Sequence, residues 1–140
     1  MLYSLEQVEK IPLDEWYKFT VLAGKAVGFV VQEATTVGVW AHRKDSEKNS
    51  DGEYPIFHWT PATEDGDSTR LANALGIARG CGEQMFPLDP DTLIAWALLE
   101  GPSGKEHYHA ITYSKSKDDA DRAVRLAIHL VAAIVGRKMP

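Results

Sequence analysis

The chain has 140 residues, 44% hydrophobic and 25% charged, and a formal net charge of -5. That is the size and apolar content of one domain around one core, and the acidic balance argues against nucleic acid, whose sequence-independent binders carry a broad basic face. One cysteine, Cys81, excludes an intrachain disulfide. No charged start leads into an apolar signal core, and the longest apolar stretch, 126–135, is broken by His129. It is about half of what a bilayer crossing needs, so a cytoplasmic protein with no membrane span is expected.

In chain order, residues 13–27 place Leu13, Trp16, Phe19, Ala23, Ala26 and Val27 at three- and four-residue spacings, which predicts a helix with one buried face. Residues 29–34 and 37–42 are β-branched and aromatic and predict a strand pair, joined by a short strand around 56–59. Between them, residues 43–54 are strongly polar and predict a mobile loop. A turn at 60–68 leads into a second helix carrying Leu71, Ala72, Ala74 and Leu75, with Asp65 or Asp67 placed to accept hydrogen bonds from its first amides. Gly76 then suits a left-handed helix stop, with Ile77 supplying the apolar contact. Cys81, flanked by Gly80 and Gly82, reads as part of a loop.

Residues 91–99 and 105–113 predict a hairpin turning through Gly101-Pro102-Ser103-Gly104. Placing Glu100 opposite Lys105 sets Leu98 against His107, Trp96 against His109 and Ile94 against Ile111. In that register Trp96, His107, His109 and Tyr113 share one face, while Leu93, Ala95, Ala97 and Leu99 share the other with Tyr108 and Ala110. A final helix is expected from Ser116 to about Val135, with Ser116 and Asp119 forming a capping box. Its apolar stripe is too wide for a single face, which predicts burial in the core or in a homodimer, and leaves Arg122, Arg125 and His129 on a narrower polar side. The expected fold is α+β, with a mainly antiparallel sheet of four or five strands packed by three helices in the order α-β-β-α-β-β-α.

His58-Trp59-Thr60 has the His-x-Thr form of two-histidine phosphoesterases, in which paired histidines serve as acid and base. The chemistry needs a second copy, and His109-Ala110-Ile111-Thr112 has one residue too many, which on a strand sends His and Thr to opposite faces. His107 and His109 with His42 form a possible zinc set, against the simpler reading of sheet histidines beside Trp96 and Tyr113 that stack on a partner. Arg122 and Arg125 suit a phosphate or carboxylate, against pairing with Asp118 and Asp121. Glu64, Asp65 and Asp67 are explained by capping, and Cys81 has no base identified by spacing. No motif implies a metal or cofactor, and no catalytic set is complete.

The run Trp59-Thr60-Pro61, Asp65-Gly66-Asp67-Ser68, Leu71-Ala72 and Leu75-Gly76-Ile77, with the closing 121–139 segment, resembles small phage and prophage proteins carrying a Trp-x-Pro, Gly-Asp and Leu-Ala…Leu-Gly motif, and more loosely the NinX-like phage proteins. Together these matches cover about a quarter of the chain. The resemblance implies a phage or prophage origin and transfers no functional residue; Ser68 stands where alanine is usual. The expectation is therefore a non-enzymatic accessory protein of the bacterial host cytoplasm. It would bind a host protein or a small, anionic signalling molecule in counter-defence, as a homo-oligomer through the last helix. The residues nominated for binding are Trp40, His42, His58, Trp59, Trp96, His107, His109, Arg122 and Arg125. The alternative is a small hydrolase or phosphoesterase using His58 with His107 or His109.

Overall fold

The computed structural model describes residues 2–35, 38–61, 63–84, 89–100 and 106–139. Strand β1 (Leu2–Ser4) runs directly into helix α1 (Leu5–Glu9), because Ser4 ends the extended segment and caps the helix: its hydroxyl accepts from Gln7 N–H while the Gln7 side chain accepts from Ser4 N–H. Helix α2 (Leu13–Ala26) starts after Pro12, whose fixed φ suits that position, with Asp14 and Glu15 in its first turn and Lys25 in its last. Gly28, at φ +79°, turns the chain into strand β2 (Phe29–Thr35), which pairs with β3 (Gly38–Arg43). The short β4 (Phe57–His58) completes a three-stranded antiparallel sheet in the order β2-β3-β4.

The polar 44–56 loop is organised by Asn49, whose side-chain oxygen accepts from the amides of Asp51 and Glu53. Its end folds back on the sheet, where Tyr54 stacks on His42 with ring centroids 4.2 Å apart. Helix α3 (Asp65–Leu75) ends as its sequence predicts: Gly76 adopts φ +73°, and Ile77 N–H donates to Ala72 O. Its start differs from expectation. No side chain caps it; Asp67 instead reaches back to accept from Thr60 N–H at 2.8 Å and from Arg70 at 2.6 Å, stapling the Trp59-Thr60 segment to the helix.

Strands β5 (Ala78–Gln84), β6 (Thr92–Glu100) and β7 (Glu106–Ser114) form an antiparallel meander, and β1 adds to the free side of β7 in parallel. β5 replaces the loop expected around Cys81. Its glycines have structural reasons: a Cβ on Gly80 would lie 2.8 Å from the Trp96 ring, and Gly82, at φ +98°, sits in a bulge opposite β6. Helix α4 (Ala120–Lys138) begins at the N-cap Asp119 rather than at Ser116; Ser114 and Ser116 are bonded to Asp91, closing the base of the β6-β7 pair.

The fold is α+β with predominantly antiparallel sheets, as expected. The expected α-β-β-α-β-β-α order is present as α2, β2, β3, α3, β6, β7 and α4, and β1, α1, β4 and β5 are added to it. The strands divide into a four-stranded and a three-stranded sheet. α4 is sandwiched between the four-stranded sheet and α2, with α3 alongside, so its apolar breadth is consumed within the chain. The feature that suggested a homodimer through this helix is thereby accounted for. The α2-α4 crossing is close because of Gly136, where a Cβ would lie 1.7 Å from Leu22 O. No helix among the described residues is long and apolar enough to cross a membrane.

Candidate functional site

The register of β6 against β7 decides which side chains meet. Glu100 lies opposite Glu106, not Lys105, so Ala97 faces His109 and Trp96 faces Ala110. The expected turn at Gly101-Pro102-Ser103-Gly104 lies outside the described residues, and the register differs from the expected one by one residue, which turns every β7 side chain to the other face. The packing favours it, since the observed register buries Ile111 completely and Tyr113 to 5% exposure, whereas the expected one would have buried Tyr108, now 43% exposed. β6 presents Leu93, Ala95, Ala97 and Leu99 to α4, as anticipated. His107, His109 and Tyr113 join that covered face, while Trp96 lies on the opposite, uncovered face over Gly80.

The nominated residues consequently fall into separate places. Trp40 and His58 pair across β3 and β4, their rings 5.2 Å apart edge to face, and His42 is buried beneath Tyr54 with Nδ1–H donating to Arg43 O. Trp59 is buried against Phe29. His58 and Trp59 line a groove of about 430 Å³ between the three-stranded sheet and α3, whose Arg70 and Asp67 are already bonded to each other. Arg122 pairs with Glu9, and Arg125 with Asp65 and more distantly Asp119, so the expected partners Asp118 and Asp121 are replaced by tertiary ones. His129, expected on the polar side, is 1% exposed. Among the described residues no group of three or more His, Cys, Asp or Glu is placed to hold a metal, so His42, His107 and His109 do not assemble as a zinc set.

His109 has a different setting. It is 8% exposed, lies beside the Tyr3 ring at 5.9 Å, and its Nδ1 is buried with no hydrogen-bond partner. Burial pushes its pKa down to about 4, so the ring is neutral at pH 7. The ring lines a partly open cavity of about 440 Å³ bordered by β1 and α1 on one side and by α2 and α4 on the others. Val8, Ile11, Phe19, Leu130, Ala133 and Ile134 make the walls apolar, and Arg137, from the last turn of α4, is the single fully charged lining group. His58 lines the other groove and shares no lining residue with this one, so the two histidines do not converge on a common reacting atom. Ser68, another buried side chain with an unpartnered oxygen, faces a recess of about 200 Å³, below the usual range for small-molecule sites.

Only His109 of this cavity is legible as a site residue in the sequence. The wall supplied by Tyr3, Gln7, Val8 and Ile11 comes from two short elements that carry no long periodicity, and the available signal was Ser4-x-x-Gln7, a capping-box pattern before Val8. Compared with known proteins, the chain matches no family, no curated protein and no solved structure.

Proposed function

We propose that the chain acts by binding a small organic molecule in the cavity beside His109, and that it carries out no turnover there. The observation behind this reading is an apolar cavity of about 440 Å³, within the range of small-molecule sites, with the neutral His109 ring and the Arg137 guanidinium among its few polar groups. An apolar molecule in such a cavity removes its own apolar surface and that of the walls from water, which favours binding. Among the described lining residues Tyr3, Gln7 and Arg137 accompany His109, with no Ser, Thr, Cys, Lys, Asp or Glu, so we read the groups present as binding and orienting a ligand rather than transforming it. In the phage or prophage setting that the resemblance implies, the ligand is a host metabolite or signal, and sequestering it is the accessory function.

The test is a thermal-shift and calorimetric screen of the purified chain against apolar acids, alcohols, amines, nucleotides and cyclic nucleotides, with Ala133→Trp as a variant that fills the cavity. A ligand at 100 times its Kd adds about 2.7 kcal/mol to stability, a rise of several degrees in Tm. The expected result is saturable binding of one class, lost in Ala133→Trp. No response to any class, or hydrolysis of a phosphodiester by the purified chain, overturns the proposal.

A further inference from the structure

Resting on the reading of this cavity as a ligand site, we infer that its ligand is an apolar monocarboxylate, with its hydrocarbon body against Val8, Ile11, Phe19, Leu130 and Ile134 and its carboxylate on the Arg137 guanidinium. Three observations point the same way. Charge comes first: the lining contains Arg137 and no Asp or Glu, although the chain as a whole carries five more acidic than basic groups. A cation entering this space would meet a like charge without a counter-ion, while an anion meets the reverse.

The second observation concerns Arg137 itself. It is exposed and, among the described residues, makes no ion pair, like Arg43 and Arg79, whereas Arg70, Arg122 and Arg125 are each bound to a carboxylate; of these six only Arg137 lines the cavity. Its neighbour Lys138 adds a second positive charge at this end of α4, close enough to be felt at His107. Guanidinium offers two parallel N–H donors that match the two oxygens of a carboxylate.

The third is the division of the cavity. Six of its ten lining side chains are aliphatic or phenyl groups, and its polar groups are Tyr3, Gln7, His109 and Arg137. Gln7 is already committed to the Ser4 amide. A ligand of matching form needs one polar end and an otherwise apolar body, which describes a medium-chain fatty acid or an aryl-alkyl acid. Arg137 engages the two carboxylate oxygens through its parallel N–H donors; no covalent step is involved.

Titration calorimetry of the whole chain with decanoate, decanol and decyltrimethylammonium, each below its micellar concentration, tests the assignment. The expected outcome is one-to-one binding of decanoate, weaker binding of decanol by about tenfold or more, and no binding of the ammonium. Arg137→Gln, at an exposed position, should weaken decanoate by about tenfold and leave decanol unchanged. Decanol binding as tightly as decanoate, or an Arg137→Gln variant with unaltered decanoate affinity, overturns the carboxylate assignment while leaving the cavity itself a ligand site. Binding of none of the three overturns the assignment, and if the wider screen is also silent the site reading falls with it.

Discussion

Acid should destabilise this protein through His129, and the size of the effect follows from its surroundings. The ring lies within the α2-α4 interface, edge-on to Trp16 at 5.3 Å, with Nε2 3.2 Å from Thr20 Oγ1. Thr20 already donates its hydroxyl proton to Trp16 O, so it accepts from His129 Nε2–H, which leaves Nδ1 as a buried lone pair. Burial pushes the pKa of His129 down from 6.5 to about 4. Unfolded chain therefore binds more protons than folded chain between these values; stability is full above pH 6.5 and falls as pH drops toward 4. At pH 5 the loss relative to pH 7 is about 2 kcal/mol for this residue, a sizeable part of a typical folding free energy of about 5–15 kcal/mol. Urea unfolding at pH 7 and pH 5 should show His129→Leu losing about 2 kcal/mol less than wild type over that interval. Equal losses in the two proteins would refute the argument, whatever the variant's stability at pH 7.

Three substitutions test the packing of the fold. Gly136→Ala puts a methyl group into Leu22 O and should cost at least about 3 kcal/mol in chemical denaturation, with the helices forced apart and decanoate affinity reduced. Asp67→Ala strands Thr60 N–H and Arg70 together and should cost about 1–3 kcal/mol without altering the cavity at the opposite sheet. Gly80→Ala drives the Trp96 indole off β5, costing about 1–3 kcal/mol and shifting tryptophan emission to the red; an unchanged spectrum and stability would mean the ring does not lie there.

The elements legible in the sequence are those whose information is local. α2, α3 and α4 announce themselves by three- and four-residue periodicity, and the Gly76-Ile77 stop of α3 by its own chemistry. β1 and α1 were not, because β1 exists only through pairing with β7, more than 100 residues away, and three residues of sequence hold no pattern. β5 was hidden by Gly80 and Gly82, which signal a loop unless the Trp96 ring and the bulge they accommodate are known. The candidate site depended on the register of β6 against β7. The expected register sets His109 beside Trp96, and the observed one puts the two on opposite faces of the sheet. Arg122 and Arg125 drew attention as neighbours on a helix, but their partners Glu9 and Asp65 are distant in sequence, and only the fold reveals that these cations are occupied while Arg137, among the described residues, makes no ion pair.

The pairing of β1 with β7 has a consequence for access to the cavity. The wall formed by Tyr3, Gln7, Val8 and Ile11 belongs to a strand of three residues and a helix of five, held at a sheet edge, whereas the opposite wall belongs to the nineteen-residue α4. Segments this short open at a small fraction of the global unfolding free energy. Amides of residues 2–11 should therefore exchange with deuterium far sooner than those of α4 or β6, and a bound ligand should slow the former while leaving the latter unchanged. In this arrangement the N-terminal strand and helix form the pliant wall of the cavity and α4 the fixed one.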